Sequence, residues 1–124
     1  MSENDNARRI AEDRCDDAVE AFADGDYDQA IDLYNQALEA DPAYGDAFTG
    51  LAMCHQAKGD VDAAIEVTKR YVEKAPDDIL AFTNLSMFYQ KKGMIKEAEA
   101  AGAQARLLDW KRQLREAKEK SPNQ

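Results

Sequence analysis

The residues that are able to do acid, base or nucleophilic chemistry are few in this chain. His55 is its only histidine, and Cys15 and Cys54 are its only cysteines. Cys54 and His55 are adjacent in a helical pattern, where neighbouring side chains diverge by about 100°. They are therefore poorly placed to share a metal ion or to act as a nucleophile and its base. Cys15 and Cys54 lack the close spacing of metal-binding or redox pairs, so we interpret both as buried thiols.

A cluster of carboxylates around residues 24–32 is the other candidate for chemistry. Its members are Asp24, Asp26, Asp28 and Asp32. A calcium-binding loop also requires a glycine and a terminal glutamate at fixed positions, and both are missing here. We interpret the cluster as a solvated acidic face. No catalytic residue, cofactor site or metal site is predicted, and the chain is not expected to be an enzyme.

Composition and charge exclude several classes of partner. The chain has 124 residues, enough for one domain, with 44% hydrophobic residues, 33% charged residues and a net charge of −9. This charge argues against nucleic acid and against an anionic membrane surface as partners. Residues 1–44 hold 3 basic and 13 acidic side chains, whereas residues 79–124 hold 9 basic and 5 acidic ones. The start of the chain is polar and resembles no secretory signal, so a cytoplasmic location is expected.

A period of 34 residues organises the sequence. Gly25, Gly59 and Gly93 follow this step, and so do three sets of smaller or rigid residues: Ala18, Ala52 and Ser86; Ala30, Ala64 and Ala98; Pro42 and Pro76. Apolar residues recur every three or four positions on both sides of each glycine, which predicts two helices per unit. The units are expected at residues 11–44, 45–78 and 79–120, after a lead-in at 1–10 and before a disordered tail at 121–124. Residues 1–6 are expected to be frayed, and the prolines are expected to begin the next unit's first helix.

The stretch from Gly25 to Pro42, GDYDQAIDLYNQALEADP, resembles the second half of a tetratricopeptide repeat. The resemblance implies an all-α fold, an α-solenoid of three helix-turn-helix units with an extended C-terminal capping helix. The extension is expected to reach Lys120, because Trp110 stands where a proline usually stops the last helix. Arg14 and Asp17 replace an aromatic residue and a leucine in the first unit, which suits a solvent-facing cap.

The resemblance also implies a function in binding other proteins. In the family, the first helices of successive units line a concave groove that holds a peptide or helix of a partner. Helical periodicity assigns nine residues to this groove: Val19, Phe22, Thr49, Met53, Gln56, Thr83, Met87, Gln90 and Lys91. Whether the central residues Val19, Met53 and Met87 bind a ligand or pack between neighbouring helices is left open. Relatives that grip a C-terminal carboxylate use Lys, Asn and Arg, and this sequence has Cys15, Val19, Met53, Thr83 and Met87 at those places, so a carboxylate clamp is not expected.

A second surface is predicted on the C-terminal helix. Trp110 and Leu114 lie on one stripe with Leu107, flanked by lysine and arginine. This stripe either folds back over the third unit or contacts another molecule. The leading hypothesis is a protein-interaction module or adaptor that binds a partner peptide of unknown identity. The alternative is a structural scaffold that self-associates through this helix as a homo-oligomer.

Overall fold

The computed structural model describes residues 3–120 as six α-helices without a β-strand. The helices are α1 (Glu3–Ala23), α2 (Tyr27–Ala40), α3 (Gly45–Ala57), α4 (Val61–Lys74), α5 (Ile79–Lys91) and α6 (Ile95–Lys120). Each helix packs on the next in chain order, and α1 also contacts α3. The chain therefore forms three helical hairpins, α1/α2, α3/α4 and α5/α6, stacked in sequence. The predicted all-α solenoid of three helix-turn-helix units is confirmed.

Glycine and aspartate build the turn inside each hairpin. Gly25, Gly59 and Gly93 have φ angles of +79°, +87° and +77°, a left-handed conformation that costs glycine little. In the first two hairpins the next residue, Asp26 or Asp60, caps the second helix by accepting a hydrogen bond from a backbone N–H three positions on. These caps satisfy an N–H group that has no partner within its own helix. The turns predicted from the 34-residue period are confirmed.

Small residues let the two helices of each hairpin approach closely. The six residues predicted for this role are all buried: Ala18, Ala52, Ser86, Ala30, Ala64 and Ala98. Ser86 also ties its hairpin together, because its Oγ donates a hydrogen bond of 2.8 Å to the carbonyl oxygen of Ala98. In the middle hairpin the rings of Phe48 and Tyr71 stack at 5.1 Å between centroids. The core is thus continuous from α1 to α6.

Equivalent ion pairs join the outer ends of successive hairpins. Lys58, at the end of α3, pairs with Asp28 of α2, and Lys92, at the end of α5, pairs with Asp62 of α4. Both pairs repeat after 34 residues, although all four side chains are exposed. Exposed pairs of this kind add little stability. The two pairs therefore reflect the regular repeat of the hairpins and contribute little to the stability of the stack.

Two details differ from the sequence-based expectation. Pro42 and Pro76 do not begin a helix; each lies in the turn immediately after the C-cap residue of α2 or α4. Proline is common there because it cannot continue a helix. Residues 3–10, expected as a lead-in with frayed residues up to 6, belong to α1. This early start is supported by Arg8, which pairs with Asp41 and lies 4.7 Å from the ring centroid of Tyr44.

The last helix is the longest and reaches Lys120, as predicted. Its first part covers α5 through Ala98, Ala101, Ala105 and Leu108, which are all buried. From Lys111 to Lys120 every residue is exposed. This second part therefore continues past α5 into solvent. The predicted disordered tail at 121–124 lies outside the described residues.

Candidate functional site

The first helices α1, α3 and α5 carry the residues that the sequence assigned to a groove. Val19, Met53 and Met87 occupy the same position on these three helices, one 34-residue step apart. We call the surface around them the first-helix face; its other members are Phe22, Thr49, Gln56, Thr83, Gln90 and Lys91. Direct packing of α1 on α3 brings the first two parts of this face together.

Exposure varies across the first-helix face. Val19 is 58% exposed, which makes it one of the most exposed large apolar residues. Phe22, Met53 and Met87 are only partly buried and pack against the core. The three central side chains therefore differ in role, since one is free to contact a ligand and two pack between neighbouring helices. Val19 is displayed to solvent, whereas Met53 and Met87 fill space between helices and present one side outward.

The polar members of this face also differ in their exposure to solvent. Thr49 and Gln56 on α3 are partly buried, while Thr83 and Gln90 on α5 are exposed together with Lys91. The Thr83 hydroxyl donates a hydrogen bond of 3.0 Å to the carbonyl oxygen of Ile79 within its own helix. Its oxygen still has acceptor capacity. The α5 part of the face is thus the part best able to hydrogen-bond a ligand.

Leu80 is a further member of this face that the sequence analysis did not assign. It is 57% exposed and lies seven residues before Met87, two turns earlier on the same side of α5. The 34-residue period was the signal available for it, because Leu80 stands in register with Asp46 and Glu12. Acidic residues at the two earlier positions hid the apolar character of the third. Val19 and Leu80 together expose apolar surface at two separated points of the face.

The outer surface of α1, at the N-terminal end of the stack, is charged. Ala47, Gly50 and Cys54 pack α3 against the preceding hairpin, and their equivalents on α1 are Asp13, Asp16 and Glu20, which are all exposed. Three carboxylates at these positions oppose the docking of a further apolar helix, since burying them unpaired is costly. The solvent-facing cap was predicted from Arg14 and Asp17, of which Asp17 is exposed and Arg14 is partly buried.

The two thiols are buried and are held in the unreactive form. Cys54 is 0% exposed and Cys15 is 7% exposed. The pKa of each thiol is raised from 9.0 to about 11, by burial for Cys54 and, for Cys15, mainly by burial and then by the nearby carboxylate of Asp46. Burial lowers the pKa of His55, which is partly buried. A neutral imidazole beside a protonated thiol is not an activated nucleophile.

We expect both thiols to react slowly with Ellman's reagent at pH 8 in the folded chain and rapidly after unfolding in urea. A pKa near 11 leaves about one thiol in a thousand ionised at pH 8. Because the pKa is higher in the folded state, the stability that the thiols contribute is complete below pH 9 and is lost as the pH rises through 11. A folded chain whose thiols react as fast as free cysteine would contradict this prediction.

Other kinds of site find no support in residues 3–120. Among them, no three or more His, Cys, Asp or Glu side chains are grouped so as to hold a metal ion. None of the six helices combines the length and the apolar character needed to cross a membrane.

The second predicted surface is exposed along α6. Leu107, Trp110 and Leu114 are 40%, 59% and 52% exposed. These values do not fit the expectation that the stripe folds back over the third unit. Leu108 is the neighbour that does so, at 9% exposure. The first-helix face and this stripe are therefore two separate surfaces.

A family model described as Tetratricopeptide repeat matches residues 21–86, just over half of the chain. No curated protein sequence is significantly similar to the chain. Among solved structures, MamA is 25% identical with a TM-score of 0.78; the match covers 82% of this chain and 60% of the MamA chain. This chain thus spans less than two thirds of MamA.

Two further structures share the fold at lower identity. The second TPR domain of Spaghetti (RPAP3), bound to the HSP90 peptide SRMEEVD, is 20% identical with a TM-score of 0.77, covering 87% of this chain and 99% of that one. The type III secretion chaperone SycD of Yersinia enterocolitica, in complex with a peptide of the translocator YopD, is 24% identical with a TM-score of 0.73, covering 78% and 74%.

Proposed function

The chain belongs to the tetratricopeptide repeat family, and from this premise we propose that it is a non-catalytic protein-interaction module whose first-helix face binds a segment of a partner protein. The observation that carries the proposal is the exposure of Val19 and Leu80, at 58% and 57%, on either side of the half-buried Met53 and Met87. Exposed apolar residues beside flexible methionines suit an adaptable contact with an apolar or amphipathic segment. That Spaghetti and SycD hold peptides on the same fold supports the proposal in its general form.

The proposed binding mode does not use a carboxylate clamp. A C-terminal carboxylate needs cationic donors to offset its loss of water. The five positions that correspond to the family's clamp hold Cys15, Val19, Met53, Thr83 and Met87, and none of these side chains is cationic. We therefore expect the peptide SRMEEVD, which Spaghetti binds, to have no measurable affinity for this chain.

The test of the groove is capture of partners by immobilised chain, followed by confirmation with the purified partner. The variant to compare with wild type is Val19→Glu with Leu80→Glu. Both side chains are exposed, so the double variant should keep its fold, unlike charged substitutions at the half-buried methionines. We expect binding of the partner to fall about a hundredfold, as a charge at each apolar contact costs about 1–2 kcal/mol.

The matched control is Ile10→Glu. Ile10 is 47% exposed on α1, the same helix as Val19, and their separation of nine positions places the two side chains on opposite faces. The control should bind the partner as wild type does. If the partner is retained by the groove variant, or is lost equally from the Ile10 control, the first-helix face is not the binding site.

Self-association through α6 is the second candidate function. The exposure of Trp110 and Leu114 favours a contact of some kind at this helix, since adjacent apolar side chains on a surface commonly mark an interface. The charged residues that flank this stripe determine which type of partner it is able to contact. The cytoplasmic location expected from the sequence stays a prediction.

A further inference from the structure

The exposed part of α6 carries a regular heptad pattern. Apolar residues follow one another at steps of four, three, four and three, and they end within the part of the helix that passes α5. We call them the α6 stripe: Ala103, Leu107, Trp110, Leu114 and Ala117. Alternating steps of three and four keep side chains on one line along a helix, the line along which a second helix packs.

The α6 stripe faces away from the rest of the molecule. Ala105 and Leu108 are buried against α5, whereas Trp110 is turned about 140° from Ala105 around the helix axis. The side of α6 that packs on α5 through Ala105 and Leu108 continues beyond α5 as a polar surface. There Arg112 forms ion pairs with Asp109 at 2.6 Å and with Glu116 at 3.8 Å. The stripe is therefore left without a partner from its own chain in residues 3–120.

The residues that flank the stripe are basic or neutral, with no acidic residue among them. In heptad terms these are the e and g positions, which set the choice of partner in paired helices. They are Gln104, Arg106, Lys111, Gln113, Lys118 and Lys120. The three acidic residues of this part of α6, Asp109, Glu116 and Glu119, all lie on the opposite side. The charge is thus sorted by side, with four cations along the edges of the stripe.

This sorting disfavours pairing of the stripe with a second copy of itself. In a parallel pair Arg106 would lie opposite Lys111 of the other copy, and in an antiparallel pair each edge would meet its own basic equivalent. Like charges at these positions are a device against self-pairing. A partner helix with acidic residues along its edges is needed instead.

The acidic first helix, α1, does not offer a matching stripe. α1 is rich in carboxylates, but its two exposed large apolar residues, Ile10 and Val19, lie on opposite faces. A helix–helix contact needs apolar residues on one line as well as charge. Head-to-tail pairing of α6 with α1 of another copy therefore lacks an apolar seam.

We propose that the α6 stripe docks an acidic amphipathic helix of another protein, with apolar residues at its heptad positions and Glu or Asp along both edges. The stripe supplies Trp110 and Leu114 as the central apolar contacts, and Lys111, Lys118, Arg106 and Lys120 pair with the acidic edges. This surface is separate from the first-helix face, so it stands whether or not the groove binds a peptide.

An anionic membrane is a weaker match than an acidic helix. The stripe has only three large apolar residues on a narrow line, whereas helices that lie in a membrane surface present a broad apolar face. The chain as a whole carries a net charge of −9, and residues 1–44 by themselves carry a net charge of −10. That charge opposes approach to an anionic surface.

Trp110 is the only tryptophan, so its fluorescence reports directly on the stripe. The probe is a synthetic helical peptide of four heptads with Leu at both apolar positions and Glu at both edges, compared with the same peptide carrying Lys at the edges. The Glu peptide should bind, shift the Trp110 emission to shorter wavelength, and lose about tenfold in affinity when salt is raised from low to high. The Lys peptide should not bind.

Charge reversal separates a docking surface from nonspecific attraction. Reversal of all four edge cations, in a variant with Arg106→Glu, Lys111→Glu, Lys118→Glu and Lys120→Glu, should exchange the preference, so that the Lys peptide binds and the Glu peptide does not. Leu114→Glu should abolish binding of both peptides, while Val19→Glu, on the first-helix face, should leave binding of the Glu peptide unchanged. All these positions are exposed, and circular dichroism verifies that each variant keeps its helices.

Three results would overturn the proposal. One is the failure of the Glu peptide to shift the Trp110 emission. Another is a wild-type dimer by light scattering that Leu114→Glu converts to a monomer, which would make a second copy the occupant. The third is a Trp110 shift with vesicles of anionic lipid that is larger than the shift with the Glu peptide.

Discussion

Replacing Gly50 with alanine is expected to lower the free energy of unfolding by about 1–3 kcal/mol. A Cβ atom at this position would lie 2.2 Å from Cζ of Tyr34 and 2.5 Å from its hydroxyl oxygen. Tyr34 is 6% exposed, so its ring has no free space into which to turn. Alanine in a helix gains about 1 kcal/mol over glycine by propensity alone. The clash between α2 and α3 outweighs that gain, which makes the sign of the effect informative.

Gly102→Ala is the matched control for this prediction. Gly102 also lies within a helix, but a Cβ there would first meet Oγ of Ser86 at 3.3 Å, a contact that a small shift relieves. We expect this variant to be unchanged or to gain up to about 1 kcal/mol. Urea unfolding followed by circular dichroism measures both variants. Equal destabilisation by the two substitutions would show that the contact with the Tyr34 ring is not the cause of the loss at Gly50.

A compensating variant tests the cause directly. Thr68 is the equivalent of Tyr34 in the next hairpin, and there it faces a helix with Asn84 in place of Gly50. Tyr34→Thr alone should lower stability because it removes a buried ring, but in the presence of Gly50→Ala it should cost less, because it makes room for the methyl group. If the double variant is only as stable as the sum of the two single changes predicts, the two residues do not share one space.

The sequence predicts the repeat but not the fit between repeats. The glycine period, the helix pairs and the small residues between them follow from spacing, because each recurs and each has one physical role. The junction between hairpins does not recur: Tyr34 meets Gly50 at the first junction, whereas Thr68 and Asn84 occupy the second. Such complementary sizes depend on contacts between helices that the period alone does not specify. The placement of Pro42 after a C-cap was missed for a similar reason, since both ends of a short turn suit proline.

The candidate surfaces were predicted in position but not in exposure. Periodicity placed Val19, Met53 and Met87 on one face, and the structure adds that only Val19 is mostly exposed. The stripe with Trp110 was also predicted, but its direction depends on where α5 ends relative to α6. Because α5 has 13 residues and the antiparallel α6 has 26, the second half of α6, which holds Leu114, extends beyond the start of α5 at Ile79.

Replacing Phe88 with alanine should destabilise the fold by about 3–5 kcal/mol, the largest effect expected of any single change considered. Phe88 is 0% exposed and is one of the two largest fully buried side chains. Its equivalent in the middle hairpin, Cys54, lies close to Tyr34 of the preceding hairpin: the pKa of Tyr34 is raised to about 12, mainly by burial and then by the nearby Cys54. By the same register Phe88 fills the junction between the second and third hairpins.

The size of this effect follows from the way that stacked hairpins share their stability. Each hairpin contacts only its neighbours, so a cavity at the second junction weakens the attachment of α5 and α6 to everything before them. Cys54→Ala, at the equivalent position of the first junction, removes a single sulfur atom and should cost only about 1 kcal/mol. Urea unfolding compares the two variants. A loss below that of Cys54→Ala would mean that the third hairpin is held mainly by contacts other than Phe88, and the second junction would then have to be located elsewhere on α5.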